Sequence, residues 1–107
     1  MELRQYSIVL VNLNPTRGSE IKKTRPCVIV SPNEMNKYLK TIVIAPMTAN
    51  LKKYPTRVSV KHKGKKGMVA IDQIRTIDKL RVISVYQGLS KFEIKKCKDV
   101  LKETFVD

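Results

Sequence analysis

The apolar residues of this chain arrive in short bursts, and that spacing constrains the fold more than any other feature. Ser7-Ile-Val-Leu-Val-Asn12, Pro26-Cys-Val-Ile-Val-Ser31, Thr41-Ile-Val-Ile-Ala-Pro46, Met68-Val-Ala-Ile71 and Leu80-Arg-Val-Ile-Ser-Val-Tyr86 are each four to seven residues long. Runs this short, rich in β-branched residues and bounded by turn formers, read as buried strands. Thr56-Arg-Val-Ser-Val-Lys-His62 alternates Val58 and Val60 with polar neighbours, the pattern of a half-exposed strand. Turn chemistry separates the bursts. Asn12-Leu-Asn-Pro15 closes the first, Thr16–Thr24 is a polar loop containing Gly18, Lys63-Gly-Lys-Lys-Gly67 joins two strands, and Gly88 ends the last. Pro26 stands at the first position of its strand, where a missing N–H is tolerated.

Two segments have helical character. Pro32–Leu39 predicts a short helix with proline near its first turn. Ser90-Lys-Phe-Glu93 has the spacing of a capping box, and Ile94, Cys97, Leu101 and Phe105 follow as one apolar stripe that would pack on the sheet. The elements together predict a mainly β (α+β) chain: a small, curled antiparallel barrel with a short helix after strand 2 and a C-terminal helix.

At 107 residues, with no internal repeat, the chain reads as a single domain, 1–107. Its core is modest, so a large cofactor would be hard to enclose and dimerisation is a natural way to bury more surface. An apolar fraction of 42% sets it apart from disordered tails. No apolar run approaches the roughly 20 residues of a membrane span, and Met1-Glu-Leu-Arg4 is not the start of a signal peptide. The two cysteines, Cys27 and Cys97, read as reduced, buried thiols of a cytoplasmic protein.

Charge narrows the class of partner. The 22 Lys and Arg residues outnumber 9 Asp and Glu, for a formal net charge of +13. No acidic residue lies between Glu34 and Asp72, while that stretch holds Lys37, Lys40, Lys52, Lys53, Arg57, Lys61, Lys63, Lys65 and Lys66. A basic run can be a solvated face and nothing more. With the imbalance of the whole chain behind it, a face that tracks phosphates is the better reading.

Several chemistries lack the residues they need. One histidine, two cysteines seventy positions apart and no close acidic group are a poor basis for a metal site. There is no glycine-rich phosphate loop, and Asp72 and Asp78 make a weak glycosidase pair. Cys27 lies mid-strand among Val and Ile, where it reads as a small core residue. His62 reads as a surface residue, and without a second histidine a two-histidine ribonuclease mechanism is excluded.

Polar residues at the strand ends remain. Thr24-Arg25-Pro26, Pro46-Met47-Thr48 and Asp72-Gln73-Ile74-Arg75 adjoin buried strands, and strand ends of a barrel converge on a rim. Spacing alone leaves two readings open. The residues can line one site, or Arg25 can form a salt bridge to Glu20 or Asp72 while Thr48 serves as a turn hydroxyl.

Asn14-Pro-Thr-Arg-Gly-Ser-Glu20 followed by Thr24-Arg-Pro-Cys-Val-Ile-Val-Ser-Pro32 resembles the opening of the MazF/PemK (Kid) family of toxin endoribonucleases. Pro46-Met-Thr-Ala-Asn50 with Tyr54-Pro55, and Asp72-Gln-Ile-Arg-Thr-Ile-Asp78, continue the resemblance in order, from about Ile8 to the terminal helix. It implies an SH3-like β-barrel with a C-terminal helix, assembled as a homodimer. It also implies catalytic roles for Arg25 and Thr48. Glu20 matches a residue proposed as acid or base in some members, and Asp72 matches a catalytic or substrate-contacting aspartate of the Kid branch. That branch has an Arg two positions before the Asp and a His in the first loop; here Ala70 stands at the former and the loop has no His. The MazF-like version, built on Arg25 and Thr48, fits better.

The implied activity is metal-independent, cofactor-free cleavage of single-stranded mRNA at short sequence motifs, with the 2′-OH as nucleophile and a 2′,3′-cyclic phosphate and 5′-OH as products. Arg25 then offers a two-pronged donor to the transition-state phosphate and Thr48 a third hydrogen bond. Glu20 is the plausible base, because an arginine holds its proton too tightly to serve as one. Lys52, Lys53 and Arg57 flank Tyr54, a pairing that suits a single-stranded backbone and base stacking, although Tyr54 is equally readable as a packed loop residue. Arg17, Ser19 and Gln73 are candidates for base readout, and Asp72 and Arg75 complete the expected RNA-binding set. The resemblance also implies an acidic cognate antitoxin that competes for the same cationic face. Two alternatives use the same features: a non-catalytic nucleic-acid-binding barrel, and a gyrase-targeting CcdB-like toxin. The second is disfavoured because Glu103-Thr-Phe-Val-Asp107 does not match the C-terminus on which such action depends.

Overall fold

The computed structural model describes residues 2–13 and 24–106. Its elements are β1 (Ser7–Asn12), β2 (Thr24–Ile29), α1 (Asn33–Tyr38), β3 (Thr41–Thr48), β4 (Arg57–His62), β5 (Lys65–Ala70), β6 (Arg75–Asp78), β7 (Val82–Gly88) and α2 (Lys91–Phe105), with single 3₁₀ turns at Ile71–Gln73 and Lys79–Arg81. The seven strands form one antiparallel sheet in the order β4-β5-β3-β2-β1-β7, with β6 added beside β3. The sheet curls as a half-barrel, with β4 and β7 at the two ends of that order.

β3 is the pivot. Its first half, Thr41–Ile44, pairs with β6, its last residues, Met47 and Thr48, pair with β5, and β2 pairs with Ile44–Pro46. This shared use explains why the strand runs two residues past the predicted end at Pro46. β2 likewise begins at Thr24, two residues before the predicted start. Pro26 is therefore inside the strand, in a stretch that pairs with β1 alone until Cys27 meets Pro46. Such a position tolerates a missing N–H as an edge does.

The continuous apolar runs of β1 and β2 are explained by burial on both faces. Ile8 and Val28 join one core cluster with Ala45, Met47, Val58, Val60, Val69 and Ile71. Val9, Val11, Cys27 and Ile29 join a second with Ile42, Ile44, Ile77 and Val82. The two thiols are fully buried in separate clusters, and burial pushes each up to about 12.

α2 begins as its sequence predicts. The Ser90 hydroxyl accepts from the Glu93 N–H at 3.2 Å, and the Ser90 N–H donates to Glu93 Oε1 at 2.9 Å. The second carboxylate oxygen of Glu93 accepts from the Lys61 N–H at 2.8 Å, tying the helix start to β4. Ile94, Cys97 and Leu101 pack on the first core as expected, joined by Val100. Phe105, in the last turn of α2, departs from the predicted stripe and is 53% exposed. The predicted five-residue turn at Lys63–Gly67 is also shorter. Lys63 and Gly64 alone turn the chain, both at positive φ (53° and 76°), and Lys65, Lys66 and Gly67 are already in β5. A two-residue hairpin with both φ positive matches the right-handed twist of its strands. No local sequence pattern predicts β6 as a strand, and β7 begins two residues later than predicted because Lys79–Arg81 forms a 3₁₀ turn.

Candidate functional site

The pivot strand and its neighbours build a groove of about 580 Å³. β2 contributes Thr24, Arg25 and Pro26, the end of β3 and the following loop contribute Met47–Asn50, and the β4–β5 hairpin contributes His62, Lys63, Lys65, Lys66 and Gly67. Two of the three rim segments expected from sequence, those of Arg25 and Thr48, therefore meet in one groove. The third does not line it.

Thr48 is shaped by its own loop. Its hydroxyl oxygen accepts from the Asn50 N–H at 3.2 Å, and Asn50 Oδ1 accepts from the Lys52 N–H at 3.0 Å. The turn-hydroxyl reading of Thr48 is thus observed, and it is compatible with a site: with the oxygen occupied by Asn50, the hydroxyl proton stays available to donate into the groove. Arg25 is exposed on β2 and forms no ion pair among the described residues. Arg25 and Arg75 both lie near enough to Cys27 to lower its pKa against the larger opposing effect of burial.

Asp72 is occupied elsewhere. Its Oδ1 accepts from Arg57 Nε at 3.0 Å and from the Thr56 hydroxyl at 2.9 Å. The Arg57 hydrogen bond holds its pKa below the ordinary carboxylate range; partial burial opposes this, and Thr56 adds to the lowering. The proposed Asp72 partner for Arg25 is therefore replaced by Arg57, whose side chain is only 14% exposed. The Arg57 guanidinium lies 5.2 Å from the centroid of Tyr54, and Lys52 Nζ lies 5.4 Å from it. Lys53, Tyr54 and Arg57 line a second, smaller hollow against Phe92 and Lys96 of α2. Gln73 and Arg75 are exposed near the 3₁₀ turn and β6. Arg17, Ser19 and Glu20 lie outside the described residues.

The groove also holds residues that no local sequence pattern marks as a site. Lys63, Lys65 and Lys66 were visible only as part of the acid-free stretch, and His62 read as surface. His62 is half-buried in the groove wall, its ring 4.8 Å from that of Tyr86 on β7. Burial, and then Lys63, lowers its pKa below the ordinary imidazole value. The hairpin register His62↔Lys65 was the missing signal, since it puts both strand ends on one rim. Among the described residues there is no group of three or more His, Cys, Asp or Glu placed to hold a metal ion. No described helix is long and apolar enough to cross a membrane.

Known proteins share this frame. A MazE-MazF structure from Deinococcus radiodurans is 23% identical, with a TM-score of 0.83 over 97% of this chain and 96% of that one. An endoribonuclease in complex with its cognate antitoxin, from a mycobacterial species, is 21% identical with a TM-score of 0.78, covering 94% and 91% of the two chains. The Mycobacterium tuberculosis toxin MazF-mt6 is 19% identical with a TM-score of 0.78, covering 92% and 95%. At these identities the likeness establishes the fold. Residues 4–105 match the model of the PemK-like, MazF-like toxins of type II toxin–antitoxin systems, and the chain belongs to that family.

Proposed function

We propose that this chain is an endoribonuclease toxin that cuts single-stranded mRNA without a metal, at short sequence motifs, and so arrests translation and growth. The observation that carries this reading is the meeting of Arg25 and Thr48 in one groove beside a lysine-rich hairpin. A phosphate bound there meets a planar guanidinium and a hydroxyl already oriented by its loop, the donors a crowded, dianionic transition state calls for. In the proposed reaction the 2′-oxygen attacks phosphorus as its proton passes to Glu20. The P–O5′ bond breaks while the Arg25 guanidinium stabilises the developing negative charge, and the departing 5′-oxygen takes a proton from solvent. The products are a 2′,3′-cyclic phosphate and a 5′-OH.

Lys63, Lys65 and Lys66 hold the RNA backbone, with Lys52, Lys53 and Tyr54 extending the track and Arg17, Ser19, Gln73 and Arg75 reading or steadying flanking nucleotides. Arg57 and Asp72 serve this track by fixing the start of β4 to the turn that carries Gln73. An acidic antitoxin segment competes for the same cationic surface, and a second copy of the chain completes the groove as a homodimer. The cytoplasm is the proposed compartment. The mycobacterial endoribonuclease of this fold in complex with its cognate antitoxin supports the partner.

The test is cleavage of a long single-stranded RNA in EDTA by the wild type, Arg25→Ala and Thr48→Val. Cleavage by the wild type, with each variant folded and slowed at least about a hundred-fold, is expected. Undiminished cleavage by both variants overturns the site, and salt-sensitive RNA binding without cleavage by the wild type favours the non-catalytic barrel.

A further inference from the structure

We infer that His62, backed by Tyr86, is a stacking platform for one nucleobase of the bound strand, at the end of the groove away from Thr48. The inference rests on the reading that the groove holds single-stranded RNA, and it adds a subsite to it.

Four observations converge. His62 lines the groove that holds Arg25 and Thr48. Its ring is held by Tyr86, 4.8 Å away and tilted by 56°, and Tyr86 in turn packs on the first core cluster. The platform is therefore anchored and pays little ordering entropy on binding. Cations surround it: Lys63 Nζ lies 4.5 Å from the Tyr86 centroid, Lys65 is the cross-strand partner of His62, and Lys66 and Arg25 share the groove. Finally, among the described residues neither ring nitrogen of His62 has a hydrogen-bond partner.

Register sets the distance. Thr48 pairs with Met68 on β5, three residues from Lys65, which pairs with His62 on the next strand. At roughly 3.3 Å per residue and 4.8 Å per strand, the separation is on the order of 14 Å. Measured between backbones, that separation sets His62 further along the groove than Thr48, where it suits a base further along the strand. Burial of the ring, and then the charge of Lys63, favour a neutral imidazole. A neutral aromatic ring in a cationic groove pairs stacking with backbone attraction, the combination that holds single strands.

Binding of a cleavage-blocked, 2′-O-methylated RNA tests this. His62→Ala is expected to weaken binding about ten-fold, within the range of one lost stack, and His62→Phe to restore it to within about two-fold of wild type. The slope of log affinity against log salt should be unchanged in both, because no phosphate contact is removed. An abasic nucleotide at one position should weaken binding to the wild type and cost nothing further in His62→Ala. The inference is overturned if folded His62→Ala binds as the wild type does, if His62→Phe fails to rescue, or if no abasic position is coupled to residue 62. A wild type that binds with this pattern yet cuts no cleavable RNA leaves the platform standing and overturns the cleavage reading instead.

Discussion

Two charged regions of this molecule look alike in sequence and differ in what folding does with them. Around Asp72 the charges are settled internally. Arg57 and Thr56 both donate to one carboxylate oxygen, and the guanidinium lies over Tyr54. Around Arg25 and Thr48 no carboxylate among the described residues lines the groove, and cations from β2 and the β4–β5 hairpin face one space. The first arrangement neutralises itself and stiffens a joint. The second concentrates positive charge and hydrogen-bond donors that only an anion from outside can satisfy.

Exchanging the roles of two arginines gives the sharpest contrast. Arg25→Ala should slow RNA cleavage about 10²–10³-fold, the usual cost of a transition-state donor, with little change in melting temperature. Arg57→Ala should do the reverse, leaving the rate within a few-fold and costing about 1–2 kcal/mol of stability from the broken pair with Asp72. Equal losses of rate in the two would erase the distinction. At smaller scale, Lys65→Ala and Lys66→Ala should each flatten the salt dependence of RNA binding by about 0.7 in log–log slope, as expected for one lost phosphate contact on a single strand.

Asp72 provides a pH test of the neutralised region. Its folded pKa is depressed, mainly by the Arg57 hydrogen bond. Its contribution is therefore complete above the ordinary carboxylate value of 3.8 and is lost as pH falls through the lower folded value. Thermal unfolding between about pH 5 and 2 should show Asp72→Asn less acid-sensitive than the wild type, by on the order of 1 kcal/mol after allowance for solvent screening. A parallel pair of stability curves would show that the carboxylate is not stabilised by its partners. The smallest effect concerns Cys27 and Cys97. Buried and raised to about 12, they should resist thiol reagents at pH 8 until the protein unfolds.

Sequence carried the elements well where a local rule was strong. The capping box at Ser90 and Glu93 and the β-branched runs of β1 and β2 follow from neighbours in the chain. It failed where pairing decided. β6 is short, with only Ile77 buried, and becomes a strand because β3 offers an edge beside it. The same holds for the site. Spacing alone leaves two readings of Arg25 and Thr48 open and the family resemblance singles them out, whereas His62 becomes part of the groove through a hairpin register and a ring on β7 that no local pattern encodes. Of the two partners open to Arg25, Asp72 is taken because Thr56 and Arg57, at the start of the opposing strand, reach it first.

The open cationic groove is proposed to cut RNA as well as hold it. A defined single-stranded RNA incubated with the wild-type protein in EDTA, with both product ends mapped chemically, tests it most directly. Cuts are expected at a short recurring motif, leaving 2′,3′-cyclic phosphate and 5′-OH termini. Intact RNA, or products carrying a 5′-phosphate, would contradict it.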